Sequence, residues 1–294
     1  TNRPTNANFF CHKPPRADRA LAEATTARLA PRYAEAGIDV PDLDLTEPFP
    51  PFGPDHLACL KAAPPAVVSF HFGLPEGAAV AELKELGCTI LCSATSVDEA
   101  RFLEAQGVDA IIAQGWEAGG HRGAFEIESV DAGVGLFALL PQIVDAVDLP
   151  VIAAGGIADG RGIAAAFALG ADGVQIGTAF LTCPEATATP LHKQVVREGR
   201  DTSTRLSRSG SGRPARAHRT GFTDEMAPLE LPDYPLMYGL ANPLKAAENT
   251  GESIEYQFLL YGQAAALSQE MPAAALLQHL AAEGQAAMGR LSDP

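Results

Sequence analysis

The residues best equipped for chemistry lie in one run, Gln114-Gly-Trp-Glu-Ala-Gly-Gly-His121-Arg-Gly123, directly after the apolar segment Asp109–Ala113. Gly119, Gly120 and Gly123 bracket a histidine there. Glycine has no Cβ and tolerates positive φ, so this frame lets the backbone approach a planar ligand closely. Imidazole titrates near neutral pH and can serve as base, acid or cationic anchor. The run reads as a cofactor floor with His121 as the catalytic side chain above it. Taken alone, a loop histidine is more often merely solvated. Its neighbour Arg122 reads as a loop anchor.

Two further glycine turns follow. Ala153-Ala-Gly-Gly-Ile-Ala-Asp-Gly160 leaves an apolar run and opens a helical pattern, and Gly173-Val-Gln-Ile-Gly-Thr178 lies one such unit later. Backbone N–H groups at turns of this kind, backed by a helix N-terminus, bind phosphate well. A single turn could simply cap a helix. Two in successive units point to a phosphate cradle.

These loops need a scaffold. Apolar runs at Ala66–His71, Cys88–Cys92, Ala110–Ala113, Pro150–Ala154 and Gly173–Gly177 alternate with helical patterns at Glu76–Leu86, Val97–Gln106, Val134–Val147 and Gly160–Leu169. Ser96-Val-Asp-Glu99 has the form of a capping box, and Asp159 caps the next helix. Such alternation predicts a parallel sheet covered by helices, either a (β/α)₈ barrel or an open doubly wound sheet. Thr5–Phe10 adds a sixth strand. A barrel needs eight, so on that reading two βα units, about 60 residues, would precede Thr1. The glycine turns then follow strands seven and eight, where barrel phosphate sites commonly form. Asp18–Ala36 reads as a helix and the Pro- and Asp-rich Asp39–Pro54 as a surface loop. Beyond Thr182 the rhythm stops: Arg200–Thr220 reads as an irregular basic loop, with helices at Glu255–Ser268 and Ala273–Leu291.

Composition bounds the rest. Hydrophobic residues make up 47% of the 294 and charged ones 19%, as in ordinary globular proteins. The net charge of −15 opposes nonspecific nucleic-acid binding. No apolar run reaches the roughly 20 residues of a membrane span, and no signal peptide is visible. The cysteines Cys11, Cys59, Cys88, Cys92 and Cys183 match no zinc spacing and read as reduced thiols of a cytoplasmic protein.

The runs 114–123, 151–162 (Val-Ile-Ala-Ala-Gly-Gly-Ile-Ala-Asp-Gly-Arg-Gly) and 174–181 (Val-Gln-Ile-Gly-Thr-Ala-Phe-Leu) resemble nitronate monooxygenase, the 2-nitropropane dioxygenase family. Val68-Ser-Phe-His-Phe-Gly-Leu-Pro75 and Cys11-His-Lys-Pro-Pro15 resemble its class I bacterial form. The resemblance implies an α/β fold, an FMN-binding TIM barrel over residues 1–182, with a mainly helical substrate or lid domain over 183–294. It implies Asn8, Ser93, Gln114, Gly119, Gly120 and Gln263 at the flavin, and Ala154, Gly155, Gly156, Gly177 and Thr178 at its phosphate. His121 is the implied catalytic residue, with Tyr238 and Lys245 toward the substrate and no metal. The implied reaction is oxidative denitrification of an alkyl nitronate, such as propionate 3-nitronate, with O2 to a carbonyl compound and nitrite. The small molecule and O2 would be the partners of a cytoplasmic monomer or homodimer, without nucleic acid or membrane. The alternative is an NAD(P)H-dependent FMN reductase of enoyl thioesters or quinones, since the glycine motifs are shared across that flavin superfamily.

Overall fold

In the computed structural model, which describes residues 3–127, 133–248 and 253–292, the apolar runs become strands. β1 (Asn6–Phe10), β2 (Val67–His71), β3 (Thr89–Ala94), β4 (Ala110–Gln114), β6 (Val151–Ala154) and β7 (Gly173–Gln175) form one parallel sheet, while β5 (Gly120–His121) lies outside it. Each strand pairs with the next in sequence. A doubly wound sheet reverses its strand order at a switch point. This sheet does not, and its one-way progression is that of a TIM-type barrel, with β1 and β7 as its two edges.

Between strands run α1 (Arg19–Glu35), α2 (Pro54–Ala62), α3 (Gly77–Glu85), α4 (Val97–Ala105), α5 (Leu136–Val144) and α6 (Gly160–Ala168). Ser96 caps α4 by accepting from Glu99 N. The second half of the expected capping box goes elsewhere: the Glu99 carboxylate accepts from Thr95 N and Phe125 N, and so ties the loop beyond β5 to the barrel. Asp159 caps α6 through Arg161 N and Gly162 N.

Strand side chains alternate between two environments. Val68, Phe70, Ile90, Cys92, Ile111, Ala113, Val151 and Ala153 pack under the helices with Leu83, Leu103, Leu140 and Ile143. The opposite parity carries Asn8, Ser69, Ser93, Gln114 and Ala154, aligned by register as Asn8↔Ser69 and Gln114↔Ala154. Ser69 accepts from Asn6 and donates to Asn8. This polar face is what the apolar runs conceal.

The chain after residue 182 departs from the expectation in two places. Arg200–Thr220 contains an antiparallel ribbon, β8 (Thr204–Ser207) and β9 (Ala215–His218), with β5 added to its edge. Apart from Leu206 its sheet positions hold Ala, Ser, Thr, His and Arg, so no strand pattern shows in the sequence. Glu255–Ser268 is not a helix. Its backbone is irregular with a 3₁₀ turn at Ala265–Leu267, because its hydrogen bonds go outward: Leu259 O accepts from His218 N, Gly262 N donates to Thr178 Oγ1, and Gln263 N donates to Glu117 O. α7 (Pro190–Glu198), α8 (Gly221–Met226) and α9 (Met237–Ala247) complete this part, and α8 and α9 pack with α1 around Leu29, Tyr33, Met226 and Leu240.

α10 (Ala273–Ser292) returns to the barrel and packs on α6, burying Leu276 and Leu280. The helices meet at glycine: a Cβ on Gly160 would lie 2.3 Å from the Glu283 backbone, whereas Gly289 has nothing within 4 Å. Gly160→Ala is expected to destabilise the fold by about 2 kcal/mol or more through overpacking, and Gly289→Ala to stabilise it by about 0.5–1 kcal/mol through helix propensity. Denaturant melts of the two variants test this; equal shifts of one sign would refute the packing account.

Candidate active site

His121 is placed by its backbone. After β4 the chain loops back, and Gly120 and His121 pair with Arg216 and Ala215 of β9. The His121 carbonyl accepts from Gln114 Nε2 at 3.0 Å and from His71 Nε2 at 3.2 Å. Gln114 Oε1 in turn accepts from Gly123 N at 2.8 Å, and the Gln114 carbonyl accepts from Arg122 Nη1 at 2.6 Å. Arg122 is thus the loop anchor that the sequence suggested. Because His71 Nε2 must donate to a carbonyl, its Nδ1 accepts, and Ser93 Oγ, 3.0 Å away, is the donor.

The same bookkeeping of protons fixes the His121 tautomer. Its Nε2 lies 2.9 Å from Ser211 Oγ. The Ser211 hydroxyl donates to Arg213 O at 3.2 Å, so it accepts from His121 Nε2–H. Nδ1 is then the lone-pair nitrogen. Among the described residues Nδ1 has no hydrogen-bond partner and is not sealed off, and His121 lines a cavity. Phe72 and Tyr234 pack edge-on to the imidazole, each at 5.7 Å. Phe72 holds φ +72, a conformation that bulky side chains avoid. The cluster around it keeps it there: the Arg213 guanidinium covers its ring at 4.0 Å, and His71, Phe10 and Tyr234 surround it. The motif Val68–Pro75 thus serves the sheet through Val68 and Phe70 and the histidine through His71 and Phe72.

Burial holds both imidazoles neutral. It pushes His121 down to about 3, with His71 and Arg213 adding repulsion, and His71 down to about 4.

A glycine-lined cavity adjoins the loop. Gln114, Gly119, Gly120, Ala154, Gly155, Gly156, Gly177 and Thr178, eight residues that the sequence put forward, come together on its wall. Gly155 sits at φ +98 with its would-be Cβ 2.9 Å from Ala118, and a Cβ on Gly119 would lie 2.5 Å from Gly262 N. These contacts leave no room for side chains, so the wall is largely backbone. Asn8, Ser93 and Gln263 are not among the lining residues. Asn8 bonds Ser69, Ser93 supports His71, and Gln263 uses its backbone on Glu117, while its neighbours Tyr261 and Gly262 form the wall instead. Sequence reasoning missed Gln175, on the inner parity of β7; the close approach of Gly262 to Glu117 O is invisible without the fold.

A second cavity opens between the β8–β9 ribbon and α9. His121, Tyr238 and Lys245 all line it, together with Ser211, Asn242 and Phe258. The seven-residue spacing does put Tyr238 and Lys245 on one face of α9. Leu260 borders both cavities. Ser211 and Tyr234 carry no motif that would single them out; only the fold brings them to His121.

Two neutral buried histidines make stability depend on pH. The unfolded chain protonates near 6.5 and the folded one near 4 and 3, so the folded state binds fewer protons between these values. Stability is full above 6.5 and is lost as pH falls below it, by about 1.4 kcal/mol per pH unit for each histidine. Denaturant midpoints of wild type and His121→Asn from pH 7 to 5 should show a shallower decline in the variant. Parallel curves would refute the assignment.

The chain matches the family model for nitronate monooxygenase over residues 1–283. It is 43% identical to a nitronate monooxygenase of Pseudomonas aeruginosa over 96% of this chain and 82% of that one, and 42% identical to one of Paraburkholderia phytofirmans over 96% and 78%. Among solved structures it is similar to a nitroalkane oxidase from Streptomyces ansochromogenes, with a TM-score of 0.89 and 39% identity over 99% of this chain and 83% of that one. FabK from Thermotoga maritima follows at 0.69 and 28% over 99% and 79%. A TIM-type barrel whose Gly119–His121 loop walls two adjoining cavities, and likeness along almost its whole length, establish this chain as a member of the nitronate monooxygenase family of oxidoreductases.

Proposed function

We propose that the glycine-lined cavity holds FMN and that the adjoining cavity takes an alkyl nitronate, which is oxidised with O2 to a carbonyl compound and nitrite. The observation that carries this reading is that His121 lines the second cavity while its own loop, Gly119–Gly120, walls the first.

The residues fit the cofactor. The N–H groups of Gly155, Gly156 and Gly177 donate to no loop or turn acceptor among the described residues, and Thr178 opens a 3₁₀ turn, Thr178–Thr182. Donors of this kind at turn N-termini suit a phosphate. Gly119 and Gly120, with Gln114 beneath them, offer a flat backbone surface for the ring system. FMN, when bound, supplies the electron acceptor and the means of passing electrons to O2.

The chain's own residues bind, orient and charge-balance. The Lys245 ammonium meets the nitronate's negative charge, and Tyr238 orients it from the same helix face. His121 enters neutral. An anion beside it favours its protonated form, so the substrate itself raises the histidine's proton affinity. Toward a neutral nitroalkane, Nδ1 is placed as a base for the proton on the carbon bearing the nitro group. On this reading residues 1–182 carry the cofactor and 183–294 close over the substrate, with Leu260–Gly262 reaching back to the cofactor wall.

Oxygen uptake and nitrite release with propionate 3-nitronate test the reading. His121→Asn is expected to lower kcat/KM by about 100-fold or more. Lys245→Met should raise KM about tenfold for the nitronate and leave neutral nitroalkanes little changed. Full activity in His121→Asn would remove His121 from the chemistry. Rapid anaerobic bleaching of the flavin by NADH, without nitronate turnover, would favour a reductase instead.

A further inference from the structure

A third cavity, of about 340 Å³, lies between the loop after β1 and the ribbon tip, and His121 does not line it. Among the described residues its wall carries Lys13, Arg16, Arg208 and Arg213 against Glu126 and Asp233. Four cations to two carboxylates is an inversion for a chain of net charge −15. The carboxylates are engaged at the rim: Lys13 pairs with Glu126, and Arg16 binds Asp233 at 3.0 Å, with both cations largely exposed. Arg208 reaches Asp233 only at 3.7 Å and spends its hydrogen bonds on the Gly212 and Leu231 carbonyls.

Arg213 is the exceptional member. It is 4% exposed, and among the described residues no carboxylate lies within 4.0 Å of it. One terminal nitrogen, Nη2, holds the Ala124 and Phe125 carbonyls. Nε and Nη1 have no hydrogen-bond partner among the described residues, and neither is a sealed, unsatisfied atom. Arg213 itself lines the cavity. A buried guanidinium without an anion is costly, and its planar fork is shaped for two oxygens at once.

We propose that this cavity is a second anion site, taking a planar oxyanion, either a small carboxylate or nitrite, on the free edge of Arg213 with Arg208 and Lys13 completing the charge. Its position gives it access to the chemistry without sharing it. Tyr234 lines the cavity and packs against His121 at 5.7 Å, and Arg213 covers Phe72, which packs on the same imidazole. An anion there would offset the positive charge that Arg213 directs at His121.

Calorimetric titration with acetate and with nitrite tests the site directly and needs no turnover, so it stands or falls apart from the proposed reaction. It is done on a Lys245→Met background, which removes the cation of the nitronate cavity. Saturable binding is expected to persist there, to weaken about tenfold in Arg213→Lys, which keeps charge but loses the fork, and two- to fivefold in Lys13→Gln. Lys13 is exposed, so its variant guards against a folding defect in the other. Tighter nitrite than acetate assigns the site to a product-like ion, and the reverse to a carboxylate-bearing ligand. No saturable binding of either anion, or affinity unchanged in both variants, overturns the proposal.

Discussion

The site depends on one acceptor, the carbonyl oxygen of His121. Two donors from different strands meet there, Gln114 from the end of β4 and His71 from the end of β2. Each bond is worth only about 1 kcal/mol net. Together with the β5–β9 pairing they remove the freedom of a loop that glycine would otherwise leave loose. The imidazole is consequently aimed by its main chain. Ser211 and the aromatic cluster then fix its rotation and its proton.

That arrangement explains why the family motifs hold the residue types they do. A glutamine can donate and accept at once, so Gln114 closes a loop from His121 O to Gly123 N. A histidine at 71 reaches across from the end of β2 and accepts from Ser93 on β3, the strand between β2 and β4. The strained Phe72 sits next to it, and its φ is tolerated because a guanidinium and several rings enclose it.

Buried arginines form the second constraint. Arg213 and Arg216 are each pushed down to about 10 by burial and remain cationic. Both are held chiefly by carbonyl oxygens, Arg216 by Trp116 O and Arg213 by Ala124 O and Phe125 O. They staple loops from the first half of the chain to the ribbon of the second. They also place fixed positive charge behind the cavities of an acidic molecule. Charge of that kind is screened less by salt than surface charge, because most of each guanidinium is buried.

The barrel was legible because burial on the helix side selects continuous apolar runs at regular spacing, and glycines mark the turns whatever lies around them. The sequence by itself therefore determined β1 to β4, β6 and β7 and the loops at Gly119–Gly120 and Gly155–Gly156. It did not reveal the β8–β9 ribbon, whose sheet positions hold Ala and Arg, nor the irregular course of Glu255–Ser268, whose apolar content mimics a helix while its backbone bonds to three other elements. The resemblance put Asn8, Ser93 and Gln263 at the flavin, and the fold sends Asn8 to Ser69, Ser93 to His71 and the Gln263 backbone to Glu117. Ser211 and Tyr234 stand about 90 and 113 residues from the histidine they contact. Periodicity reports what a residue does within its own element. Which distant groups meet across elements, and so which nitrogen of His121 keeps its lone pair, is decided by tertiary packing alone.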